Sequence, residues 1–173
     1  LNSGTYMSYH DTRKFGRMIV KNESELFSTK PLNKLALDAN DPTFTKETLH
    51  IRLKGRKIPI KEALLNQEII AGLGNIYVDE VLFASRISPL REACDVSCTE
   101  CGIILEESRK ILNKAISYKG TTIRSYTSSL GVIGEFQNFL CVHTKEICPI
   151  CKGEITKTRI SGRGTYYCAR CQK

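Results

Sequence analysis

Two Cys-x-x-Cys pairs dominate the end of the chain. Cys148-Pro-Ile-Cys151 is followed by sixteen residues and then by Cys168-Ala-Arg-Cys171. Each pair lets two thiolates point at one ion, and the segment between must double back for the pairs to meet. It has the composition to do so. Ile155–Ile160 reads as a strand, Ser161-Gly-Arg-Gly164 as a turn and Thr165–Tyr167 as a returning strand. Residues 146–173 are too few to build a core, so a bound metal has to supply the folding free energy. Cys148, Cys151, Cys168 and Cys171 are therefore expected to hold one zinc ion. All four positions are protein sulfur, which makes the site structural rather than catalytic.

Four cysteines remain. Cys94, Cys98 and Cys101 have the C-x3-C-x2-C spacing of some iron–sulfur sites. No βα repeat surrounds them, and Cys141 stands far off in sequence, so all four read as free thiols.

Charge sets the class of partner. Twenty-six Lys and Arg against 18 Asp and Glu give a formal +8. Four thiolates and one zinc ion would lower this by two, to about +6. Such an excess favours a polyanion. In the tail, Arg163 sits between two glycines and is expected at the hairpin tip, either as a solvated turn residue or as a phosphate clamp. No apolar run is long enough for a membrane helix, and no secretory leader is recognisable.

Upstream, the pattern is mainly helical. Thr45 is placed to cap a helix through Leu49 and Leu53. Residues 61–70 read as a second helix, with Leu65 and Ile69 on one face. Gly72-Leu-Gly-Asn75 stops it, with Gly72 at a left-handed position and Asn75 as N-cap of a helix over 76–85. A glycine-opened helix N-terminus suits a phosphate, although Asn75 alone would be read as a cap. Residues 86–99 read as a loop. A helix over Ile104–Ile116 ends at Gly120, and Thr121-Thr122 caps a short helical stretch to about Ser129. Near the start, 5–10 and 16–21 read as short strands. The opening Leu1-Asn-Ser-Gly4 is a turn signature. A turn usually joins two strands, which predicts that the chain is part of a longer protein.

Taken together, Gly72-Leu-Gly-Asn-Ile-Tyr77 with Glu80, Asp11-Thr-Arg-Lys-Phe-Gly16, Gly120-Thr-Thr122 and Gly162-Arg-Gly-Thr165 with the closing Cys-Ala-Arg-Cys-Gln-Lys173 resemble the bacterial formamidopyrimidine-DNA glycosylases. The resemblance runs over essentially the whole chain. It implies a mainly α fold with small β elements: a remnant of an N-terminal β-sandwich over 1–40, a helix-two-turn-helix domain over 41–145 and a four-cysteine zinc β-hairpin over 146–173. It implies a monomeric base-excision-repair enzyme of the bacterial cytoplasm and nucleoid. Its substrate would be duplex DNA carrying oxidised purines, with strand cleavage by β/δ-elimination. Residue by residue, Asn75 and Arg163 match contacts to phosphates flanking the lesion. Arg13 and Phe15 match the pair that fills the gap left by the extruded nucleotide. Gly131–Glu135 matches a loop over the extruded base, and Lys61 a DNA-binding lysine at the start of a helix.

The resemblance also has gaps. The family's nucleophile is an N-terminal proline amine beside a glutamate, and here the chain opens Leu1-Asn2, so no catalytic residue is assigned and the chain is expected to be inactive alone. His143-Thr144 stands where Tyr-Gly is usual, and Ser88-Pro89 where His-Pro is usual. A non-catalytic zinc-containing DNA-binding module is one alternative. An endonuclease VIII-type enzyme for oxidised pyrimidines is another, although the Asp-x-Arg-Lys-Phe-Gly segment favours the purine branch.

Overall fold

The computed structural model describes residues 2–9, 11, 14–122 and 134–173. They form two compact units, 1–33 and 34–173.

The described part of the first unit contains no strand. This corrects the expectation for 5–10 and 16–21. A strand exists only as half of a ladder, and two short strands alone are marginal in water. Here the chain turns locally instead. Gly16 N–H donates to Asp11 Oδ2 at 2.6 Å, and Lys14 N–H to Asp11 O at 3.2 Å. Lys21 Nζ ties to Thr29 Oγ1 at 2.5 Å and to the Lys30 carbonyl. Tyr6, Phe15, Val20 and Phe27 are exposed.

The second unit starts at Lys34, so its boundary lies upstream of the one expected at residue 41. The reason is backbone pairing: Ala36 and Ala39 N–H donate to Gln67 O and Ala71 O, and Ala71 N–H returns to Leu37 O. Among the described residues four α-helices follow: α1 (Lys46–Leu53), α2 (Ile60–Leu65), α3 (Asn75–Ala84) and α4 (Cys98–Ser117). Then comes a hairpin, β1 (Thr156–Ile160) and β2 (Arg163–Tyr167). Helix α4 packs on α1 and α3, around a core that includes Phe44, Leu49, Leu53, Leu64, Ile70, Leu82 and Ile104.

Local chemistry sets the helix ends. Thr45 Oγ1 accepts from Thr48 N–H and caps α1. Helix α2 stops at Leu65, five residues before the expected end. Asn66 is responsible: its Oδ1 accepts from Glu68 N–H at 2.9 Å, a local bond that competes with helix continuation. Ile69 and Ile70 are buried all the same, from a turn rather than a helix. Gln67 braces that turn, donating to Leu65 O and Leu73 O and accepting from Gly72 N–H. Gly72 has φ +86°, the left-handed backbone expected of it.

Helix α4 starts at Cys98, inside the segment expected to be loop. Ser97 and Glu100 form a reciprocal capping box. Arg91 grips the same Glu100 carboxylate with two bonds, at 2.6 and 2.8 Å. That grip holds Glu100 down to a pKa of about 2. The early start also places Cys101 in the core, where burial pushes its thiol up to about 12. Cys94, Cys98 and Cys101 do not gather into a ligand cluster among the described residues. The helical stretch expected after Thr121-Thr122 lies outside them. Its feet are fixed: Gly134 N–H donates to Thr122 Oγ1, and Phe136 N–H to Gly120 O.

Candidate nucleic-acid interface

The hairpin is antiparallel, with Thr156 opposite Tyr167 and Ile160 opposite Arg163. Its turn is only Ser161-Gly162, with φ +47° and +76°. Two consecutive positive φ values match the twist of a two-residue hairpin turn. Arg163 is therefore not at the tip, as expected, but is the first residue of β2. Alternation puts it on the face of Thr165, which is fully buried, while Arg163 itself is exposed.

The four knuckle cysteines converge at the base of the hairpin. Cys148 and Cys171 sulfurs are 3.8 Å apart, and those of Cys151 and Cys168 are 3.5 Å apart. Tetrahedral Zn–S bonds of about 2.3 Å put sulfurs about 3.8 Å apart, so the set fits one zinc ion. Phe83 of α3 and Val142 pack against this cluster. The last residues dock on the loop after α3: Gln172 Nε2 donates to Ile87 O, Lys173 N–H to Arg86 O and Ser88 N–H to Lys173 O.

The glycine turn meets the hairpin at one carbonyl. Helix α3 begins at Asn75, one residue earlier than expected, and Gly74 is its N-cap without a side-chain bond. The Asn75 side chain is thus not a cap. Its Nδ2 donates to Gly164 O at 3.0 Å, which uses one of two amide protons. The uncapped first turn of α3 adds free backbone N–H groups and a partial positive charge.

Lys61 does not face solvent. It is fully buried at the start of α2, and its ammonium donates to Gly164 O at 2.9 Å and to Asp79 Oδ1 at 2.7 Å. Burial lowers its pKa, the bond to Asp79 and its charge oppose this, and the positive charge of Arg163 adds to the lowering.

Two acidic residues of α3 complete the junction. Asp79 Oδ2 accepts from His143 Nδ1 at 2.8 Å and from Tyr166 N–H at 3.2 Å. Glu80 accepts the backbone N–H groups of Cys141, Val142 and His143 at 2.7 to 2.9 Å. Burial raises the Glu80 pKa and the three donors pull it back. Neither Asp79 nor His143 was singled out from sequence as a site residue. The available signal was an Asp-Glu pair inside Ile-Tyr-Val…Val-Leu-Phe, a helix apolar on every side.

With this geometry in view, likeness to known proteins is specific. A model of the formamidopyrimidine-DNA glycosylase H2TH domain matches residues 35–127, and a zinc finger found in FPG and IleRS matches 145–173. The chain belongs to the formamidopyrimidine-DNA glycosylase family. It is 42% identical to the formamidopyrimidine-DNA glycosylase of Ureaplasma parvum, over 99% of this chain and 63% of that one. It is 40% identical to that of Mycoplasma genitalium, over 99% of this chain and 61% of that one. The crystal structure of MutM (FPG) from Thermus thermophilus superposes with a TM-score of 0.86 at 33% identity, covering 94% of this chain and 63% of that one. A Lactococcus lactis FPG mutant in complex with Fapy-dG-containing DNA gives 0.80 at 35% identity, covering 87% and 56%. The chain thus spans just over three fifths of the curated relatives it matches. The H2TH helices and a four-cysteine zinc hairpin are shared features of this glycosylase family.

Of the residues expected at the interface, the structure brings Asn75 and the Arg163–Gly164 backbone together and buries Lys61 beside them. Phe15 is exposed in the first unit. Arg13 and residues 131–133 lie outside the described residues. No helix among the described residues is long and apolar enough to cross a membrane.

Proposed function

We propose that these 173 residues supply the DNA-binding part of a bifunctional glycosylase and AP lyase, which removes oxidised purines from duplex DNA and then cleaves the strand by β/δ-elimination. The observation that carries this reading is the shared carbonyl of Gly164. Through it the Asn75 amide and the backbone beside Arg163 are held as one unit, with an uncapped helix terminus alongside. Two polar side chains of different elements, fixed at one spacing, suit successive phosphates. The Lactococcus lactis relatives solved with Fapy-dG and abasic-site DNA support the same partner.

In this reading Asn75 and Arg163 contact phosphates, Arg13 and Phe15 enter the gap left by an extruded nucleotide, and residues 1–33 are the remnant of a β-sandwich domain. Residues 34–145 and 146–173 act as the helical domain and its zinc hairpin. Lys61 acts from inside, by holding Gly164, rather than as a surface contact. The protein works as a monomer on DNA in the bacterial cytoplasm. Binding, not bond breaking, is assigned to this chain.

The test is fluorescence anisotropy on a duplex with an abasic-site analogue. Arg163→Ala and Asn75→Ala are each expected to weaken binding about tenfold, and Arg163→Ala, which removes a charge, to reduce the salt slope by about one while Asn75→Ala leaves the slope unchanged. Full affinity in both variants would place the DNA surface elsewhere. Borohydride trapping on an 8-oxoguanine duplex is expected to give no covalent adduct with this chain; an adduct would overturn the assignment of binding alone.

A further inference from the structure

Asp79 stands one helical turn after Asn75 on α3, and its carboxylate reaches three other elements. Oδ1 holds Lys61 of α2, and Oδ2 takes His143 Nδ1–H and the Tyr166 amide of β2. Only one of those partners belongs to the hairpin, yet a second link runs there through Lys61, which spends another proton on Gly164 O. That carbonyl also receives Asn75 and directly follows Arg163. The side chain is fully buried and so cannot itself meet a phosphate.

We infer that Asp79 is a positioning residue, which sets the spacing between Asn75 and Arg163 and thereby the affinity for duplex DNA. The inference rests on the DNA-contact reading of those two residues.

The physical case is one of geometry over area. The hairpin offers little apolar surface to the helices: among its strand residues only Ile160 and Thr165 are buried. Apolar contact is non-directional and would allow sliding. A buried carboxylate with a lysine, an imidazole N–H and a backbone amide accepts only one arrangement. Buried ion pairs of this kind are weak sources of net stability, and fixing register is their best-attested use.

Electrostatics gives the test its discriminating power. Asp79→Asn removes one negative charge and raises the net charge by one. Long-range attraction to a polyanion would then tighten binding. Positioning demands the opposite sign. Asn can still accept from Lys61, but its NH2 meets the His143 and Tyr166 donors, so the hairpin side of the junction opens.

The experiment uses the zinc-loaded chain, with an abasic-analogue duplex as probe. Arg163→Ala and Asn75→Ala are measured first; if both bind like wild type, it is the DNA-contact reading that fails. Otherwise, Asp79→Asn is expected to bind about tenfold more weakly, with a salt slope smaller by about one and with unchanged zinc content and helical circular dichroism. The double variant Asp79→Asn/Arg163→Ala is expected to bind no more weakly than Arg163→Ala alone, because both changes remove the same contact. Unchanged or tighter binding by Asp79→Asn, or additive losses in the double variant, would overturn the inference. If Asp79→Asn does not fold or loses zinc, His143→Phe decides. It removes one of the three partners and leaves Lys61 paired. A threefold or larger loss with zinc retained supports positioning, and wild-type affinity overturns it.

Discussion

Removing the metal is expected to reach well beyond the hairpin. Without an ion, four sulfurs at 3.5 to 3.8 Å have nothing to hold them, and residues 146–173 have too little core to stay folded. At least six bonds into the helical unit then go: Lys61 to Gly164 O, Asn75 to Gly164 O and Tyr166 N–H to Asp79 at the junction, and Gln172 Nε2 to Ile87 O, Lys173 N–H to Arg86 O and Ser88 N–H to Lys173 O at the end of the chain. Each is worth about 0.5–1.5 kcal/mol net, and with water refilling part of the opened junction the loss is about 3–6 kcal/mol. For a unit of this size about 1 kcal/mol corresponds to about 3–4 °C, so the helical transition is expected to fall by about 10–25 °C. The assay is a thermal melt by far-ultraviolet circular dichroism before and after chelation, with zinc release verified colorimetrically. Duplex affinity is expected to be lost in the same step. A helical transition at an unchanged temperature after verified removal would refute the coupling through Gly164 and Asp79. Full DNA affinity would refute the hairpin's part in the interface.

The Glu100 carboxylate gives a pH signature. Its folded pKa of about 2 lies below the ordinary 4.5, so its contribution is complete above about pH 4.5 and is lost as pH falls towards 2. Allowing for partial exposure, wild type is expected to lose about 1–2 kcal/mol across that window that Glu100→Gln does not lose, as read from urea melts. Gly134→Ala would set a Cβ 2.3 Å from the Gly120 carbonyl, so a loss of about 2–3 kcal/mol in a thermal melt is expected. Gly120→Ser is no substitute control, since Gly120 has φ +85°. Among the cysteines outside the zinc set, exposed Cys141 is expected to alkylate in the native protein and fully buried Cys101 only on unfolding, as followed by mass spectrometry.

What the sequence made legible was whatever depends on near neighbours. The zinc ligands are two local knuckles, and their spacing alone located the hairpin. Thr45 was found as a cap because the residue it caps lies three positions on. The misses came from two sources. Some were local signals outweighed by apolar spacing: Asn66 ended α2 against the pull of Ile69 and Ile70, and Ser97-x-x-Glu100 started α4 six residues before the first periodic isoleucine. Others were not local at all. That Asn75 is bonded to Gly164 rather than capping its own helix depends on a partner 89 positions away. The strands expected near the start failed for the same reason, since a ladder cannot be read from one of its rails.

The acidic pair of α3 shows why such a junction exists. A helix reading Asn-Ile-Tyr-Val-Asp-Glu-Val-Leu-Phe-Ala has no polar face to turn to water, so Asp79 and Glu80 must be buried with it. Burial without partners would cost several kcal/mol per charge, so each must find donors nearby. Glu80 takes three backbone amides in succession, which fixes the path of 141–143 without regard to side-chain identity. Asp79 takes side chains as well, Lys61 and His143. The pair thus divides the work: Glu80 anchors the strand of chain that leads into the first knuckle, and Asp79 orients the hairpin that the knuckles close. Zinc folds the hairpin, but it is indifferent to where the hairpin sits. Placement comes from the two carboxylates together with the docking of Gln172 and Lys173 on residues 86–88, and the phosphate contacts proposed for Asn75 and Arg163 depend on it.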